Sequence, residues 1–357
     1  METKSKSGQL NREWPSAGLE KLSKCPVCDG SSRHILHEAL QDHIFFCAPG
    51  TWTMWRCDEC QSGYLDPRPT IDHISIAYAT YYTHESHHPK HNADHTSGKI
   101  RRSFRLHDRL RSAYLNTKYG HNLKPDFFWL NRLAFISTKP FTRQWDYFIR
   151  NLPSPQVGDQ LLDIGCGNGR FIGIARKLGY DAIGIEIDPV VIQNARATGE
   201  KVIQARLPDT TLESARFDHI TLHHVLEHLH DPNAGLRECF RLLKKNGRLW
   251  IQIPNIDSIG HDIYGPYWRG LEPPRHLALP SLQALKKILN NAGFIRTQLV
   301  TSADAVDSYF SKSELILKAS TTEQIQRASL AVRKCALKDE RRDPARHEHL
   351  TLLAYRS

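Results

Sequence analysis

"QLLDIGCGNGR", residues 160–170, opens with an apolar run and turns abruptly into glycines. The run reads as a buried strand. Gly165, Gly167 and Gly169 read as the turn after it, where bare backbone can approach a ligand closely. A dinucleotide site would show G-x-G-x-x-G, with a pyrophosphate on the N-terminus of the next helix. Here the spacing is G-x-G-x-G, followed by Arg170. Asp163 stands directly ahead of the turn, and a carboxylate there repels a pyrophosphate and suits a cationic ligand.

The next segment narrows the ligand. Phe171–Leu178 reads as a helix and "DAIGIE", Asp181–Glu186, as a second buried strand. Glu186 ends that strand 23 positions after Asp163, and an acid there accepts both hydroxyls of a ribose. The ligand is then expected to carry a ribose and an ammonium group and to need no phosphate, terms that S-adenosylmethionine fits. These residues resemble the class I methyltransferases, whose first motif is similar to "LDIGCGNG" and whose second acidic strand is similar to "GIEID". The resemblance implies a donor site made by Asp163, Gly165, Cys166, Gly167, Gly169, Glu186 and Ile187. His223, where a later strand meets its loop, is expected to line the same site. A tight turn without a ligand is the plain alternative, and the agreement of strand, glycines, helix and spaced acid weighs against it.

The chain has 357 residues, enough for a full core and two units. No run of eighteen apolar residues occurs, so no membrane span is expected, and "METKSKSGQL" lacks the apolar stretch of a signal peptide. The eight cysteines fall partly in C-x-x-C pairs. That usage suits a reducing cytoplasm with a metal site better than a secreted disulfide framework. The net charge is +10, and Ser97–Arg150 alone holds 12 Lys/Arg against 3 Asp/Glu. Such a face attracts an anion: a nucleotide-linked sugar, a phospholipid surface or RNA. A solvated helix face accounts for it equally well.

Cys25 and Cys28 in "CPVCDG", and Cys57 and Cys60 in "MWRCDEC", are two C-x-x-C knuckles separated by 28 residues. Four such thiolates close a tetrahedral zinc shell, and the spacing leaves room for a small sheet. No βαβ pattern surrounds them, against a redox pair. Cys47 is expected to be a buried free thiol. "GYLDPRPT" and "IAYATYY" follow the second knuckle. This layout resembles the zinc modules of class I methyltransferases from surface-polysaccharide gene clusters, and of sugar C-methyltransferases. The resemblance spans roughly residues 24–300 and implies a sugar or sugar-nucleotide acceptor in polysaccharide biosynthesis.

The expected organisation is a flexible N-terminus over 1–20, a zinc-binding module over 21–82, and a basic connector over 83–150. A methyltransferase domain follows over 151–302, then a helical extension over 303–357. The connector holds His84, His87, His88, His91 and His95, read as a mobile polar loop. Ile100, Phe104, His107, Leu110 and Tyr114 lie at helical spacing, and "PDFFWLNRLAF" is read as a helical cap on the core rather than a membrane-surface contact. Helices are expected at Val190–Ala197, Asn233–Leu243 and Ser281–Ala292. Strands are expected at Lys201–Ala205, Phe217–Leu222, "GRLWIQIP" and Phe294–Val300. The alternation implies a Rossmann-like α/β fold, a mostly parallel sheet with helices on both faces. The tail Ser320–Ser357 reads as helix, then loop.

Chemistry is expected beyond the carboxyl ends of the strands. Glu227 and His228 in "LHHVLEHLHDP" form an acid–imidazole pair suited to general base work, with Glu227 orienting His228. A histidine packed under the following helix is the bland reading. His224, Glu227 and His228 at i, i+3, i+4 would share a helix face and hold a divalent ion; the direct base role is preferred. In "YGPYWRGLEPPRHLALPS", His276 is expected to close the acceptor pocket. Arg275 either faces an acceptor phosphate or carboxylate, or pairs internally. The sequence therefore points to an S-adenosylmethionine-dependent methyltransferase with zinc, acting on a small, anionic or nucleotide-linked acceptor. An RNA methyltransferase and a catalytically silent binding module are the rival readings.

Overall fold

The computed structural model of the chain describes residues 10, 12–79, 98–124, 139–300, 305–320 and 330–357. The His-rich loop and "PDFFWLNRLAF" lie outside the described residues.

The N-terminal strands are β1 (Leu19–Glu20), β2 (Arg33–Leu40), β3 (Trp52–Cys57), β4 (Gly63–Leu65) and β5 (Arg68–Pro69). β2, β3 and β4 form an antiparallel sheet, and β1 pairs with β5. The expected small sheet is therefore present, but it does not stand alone. Trp14, Trp52, Met54 and Leu65 share one apolar cluster with Tyr264, Trp268, Leu271 and Phe310. Trp14 packs edge-on against Trp52 at 5.1 Å, so the end of the expected flexible lead belongs to this core.

The connector supplies the helices Gly98–Tyr119 and Lys139–Phe148. Tyr114, Leu115, Trp145 and Ile149 bury one another. Asp146 accepts hydrogen bonds from Tyr114 (2.9 Å) and Lys118 (2.6 Å), which clamps the two helices.

The main sheet contains β6 (Gln160–Ile164), β7 (Asp181–Glu186), β8 (Val202–Gln204), β9 (Phe217–His223), β10 (Leu243–Pro254), β12 (Arg296–Leu299) and β13 (His349–Tyr355). Its order is β8-β7-β6-β9-β10-β13-β12. β6, β7, β8, β9 and β10 run parallel. Helices cover such strands on both faces, so β6 and β10 read as near-continuous buried runs rather than alternating ones. The flanking helices start at side-chain caps: Asp188 accepts from Val190 N (2.8 Å), Asp231 from Ala234 N (2.8 Å) and Ser281 from Ala284 N (3.1 Å). Proline occupies the first turn after Asp188 and Asp231, where a missing N–H costs nothing. The short strand β11 (Ala278–Leu279) leaves this domain to pair with β4, completing the N-terminal sheet.

The tail corrects the sequence reading. His349–Tyr355 is a strand, not a loop, and lies between β10 and β12 with antiparallel pairing to both. The expected boundary between 302 and 303 thus cuts through one sheet. "HLTLLAY" is a short apolar run, and its partners in β10 lie about a hundred residues upstream, so local pattern could not place it. Among the described residues, no helix is long and apolar enough to cross a membrane.

A chain ending at Arg342 lacks β13 and leaves Arg248–Pro254 of β10 as an open edge. It should fail to melt cooperatively by circular dichroism. A cooperative transition at the temperature of the full chain would show that β13 is dispensable.

Candidate functional site

The strand order reverses between β6 and β9, because the chain builds β6, β7 and β8 in one direction and then returns to the other side of β6. Open α/β sheets bind ligands outside the carboxyl ends of the strands at this switch point. The glycine turn sits there. Gly165 has φ +66°, and a Cβ on it would lie 2.5 Å from Val225 Cγ2, so the position excludes larger residues. Gly165 N and Cys166 N donate to Ile185 O, at 2.9 and 3.1 Å, which ties the turn to β7.

Glu186 ends β7 beside this turn. Its carboxylate accepts from Gly167 N (3.0 Å) and Ile187 N (2.8 Å), and the Ile187 side chain is exposed next to it. Asp163, expected to suit a cationic ligand, is buried and already paired on one oxygen. Asp163 Oδ1 accepts from Arg150 and from Thr221 Oγ1 (2.7 Å), while Oδ2 has no partner. The Arg150 guanidinium also lies 3.6 Å over the Phe171 ring. Arg150 and Thr221 were not read from the sequence, because nothing local marks either as a partner of Asp163. The Cys166 thiol points into the core against Gly184, and burial pushes its pKa up. The thiol also reaches the turn, donating to Gly167 O at 3.8 Å. His223 takes a hydrogen bond to Tyr147 OH (2.8 Å) and stacks on Trp250; burial holds its pKa well below the ordinary range.

Glu227 and His228 lie in the 3-10 turn Leu226–His228 that follows β9. His224 has φ +55°, so it does not share a helix face with them, and the expected i, i+3, i+4 arrangement does not form. Instead His224 Nδ1 contacts Glu227 Oε1 at 2.9 Å. Burial raises the Glu227 carboxyl pKa, but the His224 contact together with nearby His228 and His276 outweighs it and holds the group below the ordinary carboxylate value. Glu227 therefore orients His224 rather than His228. The other oxygen, Glu227 Oε2, is buried without a hydrogen-bond partner.

His228 is held by Arg275 O (2.9 Å) and Tyr78 OH (3.0 Å), both at Nδ1. A carbonyl only accepts, so Nδ1 carries the proton and Nε2 keeps its lone pair. His276 repeats the pattern with Nδ1 on Gly270 O at 2.7 Å. Its ring lies 4.9 Å from that of His228, and burial pushes its pKa down to about 4. His276, distant in sequence, is thus brought to the Glu227–His228 turn.

Arg275 resolves in favour of internal pairing. It is fully buried, with Nη1 3.0 Å from Asp42 Oδ2 and Nε 3.0 Å from Glu272 Oε1. Nη1 also donates to Ala77 O (2.9 Å), the residue before Tyr78. Asp42 in turn accepts from Phe45 N, Cys47 N and Ala48 N at 3.1 Å each. The guanidinium is consumed in joining the N-terminal sheet to the loop after β10.

The four knuckle cysteines converge. Cys25 Sγ lies 3.7 Å from Cys60 Sγ, and Cys28 Sγ 3.5 Å from Cys57 Sγ. A tetrahedral shell with metal–sulfur bonds of about 2.3 Å has sulfur–sulfur edges of about 3.8 Å, so the donor set fits. Asp29 and Gln61, each one residue past the second cysteine of its knuckle, both have positive φ, 62° and 59°. Cys47 lies outside this set and bonds Ala77 O at 3.1 Å. The first knuckle is fastened to the helix Pro232–Leu242 by Asn233 Nδ2, 3.2 Å from both Pro26 O and Val27 O.

Comparison with known proteins agrees with this architecture. Residues 137–299 match the family model described as a methyltransferase domain. A ubiquinone biosynthesis O-methyltransferase of Xanthomonas oryzae pv. oryzae (strain PXO99A) is 33% identical over 106 residues, 28% of this chain and 44% of that protein. Its counterpart in Xylella fastidiosa (strain 9a5c) is 33% identical over 117 residues, 31% of this chain and 47% of that protein. The chain thus spans less than half the length of these curated relatives. Among solved structures, a SAM-dependent methyltransferase from Archaeoglobus fulgidus aligns with a TM-score of 0.41 and 19% identity, over 64% of this chain and all (100%) of that one. By its sheet order and glycine turn the chain has a Rossmann-like methyltransferase fold, and residues 137–299, a little under half of it, are similar to the methyltransferase-domain family.

Proposed function

We propose that the chain transfers the methyl group of S-adenosylmethionine to a small-molecule acceptor. The observation that carries this reading is the Glu186 carboxylate at the end of β7, placed against the Gly167 amide at the switch point of the sheet. A carboxylate so placed accepts the two hydroxyls of a ribose, and the open glycine turn lets the rest of the donor approach the backbone.

The chemistry is a displacement at the methyl carbon. The carbon–sulfur bond breaks, its electron pair returns to sulfur, and the acceptor's lone pair forms the new bond. The protein's task is to hold nucleophile, methyl and sulfur in line and to exclude water. If the nucleophile is a hydroxyl or carbon acid, its proton must leave. Glu227, His228 and His276 form the group that handles it, reached from the carboxyl end of β9. A sugar or sugar-nucleotide acceptor rests on the layout of the N-terminal cysteines with "GYLDPRPT" and "IAYATYY". The relatives' names point to small acceptors rather than RNA. Cys25, Cys28, Cys57 and Cys60 would hold a structural zinc ion, which would stiffen the knuckle that Asn233 grips.

Three outcomes test these assignments. Glu186→Ala should weaken S-adenosylmethionine binding by about 1–3 kcal/mol in calorimetry, since charged hydrogen bonds are lost; unchanged affinity in a folded variant would remove the ribose assignment. His228→Ala should slow turnover by about 100- to 10,000-fold with donor affinity nearly intact. Full turnover with the true acceptor, found by screening nucleotide sugars and quinols for label uptake, would make this histidine structural. Cys57→Ser should lose one zinc equivalent by metal analysis, and Cys47→Ala should keep it. Zinc-free wild-type protein that melts normally would end the zinc assignment.

A further inference from the structure

Glu227, His228 and His276 do more than meet. One ligand atom from each lies within 4.8 Å of those of the other two. Both histidines spend Nδ1 on a backbone carbonyl, Arg275 O and Gly270 O, so both keep Nε2 as the lone-pair nitrogen. Carbonyls that fix the tautomer in this way are the usual outer shell of metal-binding histidines. Glu227 is held on one oxygen by His224, and its second oxygen is fully buried and unpartnered. Glu227 Oε2 and His228 Nε2 are thus left for a ligand, and His276 Nε2 lies 3.7 Å from Glu272 Oε2, too far for a hydrogen bond.

The charges nearby point the same way. Arg269 and Arg275 are matched by Glu272 and Asp42. Among the described residues, no Arg or Lys pairs with Glu227, whose ion-pair partner is His224. A buried carboxylate with only the imidazoles of His224, His228 and His276 around it lacks a permanently charged partner, which a bound cation would supply.

We propose that Glu227, His228 and His276 bind a first-row divalent transition-metal ion, separate from the four-cysteine site. Two imidazoles and one carboxylate suit such ions and leave coordination positions open. Glu227 and His276 are buried while His228 is half-exposed, so an incoming group reaches the ion from the His228 side. Its role, which rests on the methyl-transfer reading, would be to hold the acceptor's nucleophilic atom as a Lewis acid and make its proton acidic enough to leave to solvent, in place of direct proton removal by His228 Nε2. His276 is the diagnostic member: it comes from the loop before β11, far from the Glu227–His228 turn in sequence.

The test is titration of the full-length, zinc-loaded chain with Co²⁺, followed by visible absorption and calorimetry. The wild type should bind about one Co²⁺ beyond its zinc, with ligand-field bands and no thiolate charge-transfer band. His276→Gln and Glu227→Gln should each weaken this binding at least about 10-fold, while retaining zinc and the wild-type circular dichroism. No Co²⁺ bound, a thiolate band, or undiminished binding in folded His276→Gln would each overturn the site. If Co²⁺ fails to bind while His228→Ala still loses turnover, the metal site falls and the proton-handling reading stands. If Co²⁺ binds as described but S-adenosylmethionine does not, the metal site stands and the methyl-transfer reading falls.

Discussion

The buried guanidinium of Arg275 is the contact on which the surroundings of His228 and His276 depend. It holds Asp42 and Glu272 and the carbonyl of Ala77, while its own carbonyl receives His228. Burial disfavours any charge there, yet the two carboxylates hold the arginine's pKa above its ordinary value. An ion buried this deeply is tolerated only when its partners saturate it, and those partners come from both parts of the chain. Asp42 and Ala77 belong to the N-terminal part, Glu272 to the loop after β10. The N-terminal part is therefore a structural wall of the site, as the direct contact of Tyr78 with His228 also shows.

The parallel sheet supplies the other half of the logic. Its strand order brings the carboxyl ends of β6, β7 and β9 side by side. Those ends carry Asp163, Glu186 and, one turn later, Glu227 and His228. These side chains are thus neighbours for a topological reason, on rigid strands whose registers cannot slip without exposing buried runs. The four-cysteine cluster and β11 then fix the covering sheet to this edge, so the wall over His228 is tied down at several independent points.

Much of this was legible in the sequence because the signals are local. Glycines after an apolar run, an acid at the end of the next strand and two C-x-x-C pairs each need only a few neighbouring residues to be read. Asp181–Glu186 was placed to the residue, and Glu186 lies where that reading expected it. Other parts were not legible because their meaning depends on distant partners. Arg150 is an ordinary basic residue until Asp163 and Thr221 are folded against it. The acid Glu227 follows the same rule, since spacing pairs it with His228 while the left-handed backbone at His224 turns the bond elsewhere.

The sequence by itself determined the alternation of strands and helices, the glycine turn with its acid at Glu186, and the cysteine knuckles. These follow from periodicity, backbone permissiveness and ligand spacing, which act over a few residues. Tertiary structure alone decided that His349–Tyr355 completes the sheet, that Arg275 is spent inside the protein, and that His276 joins Glu227 and His228. Those outcomes depend on which buried groups must satisfy one another across long stretches of chain, and a buried charge or an open strand edge finds its partner only when the whole core closes.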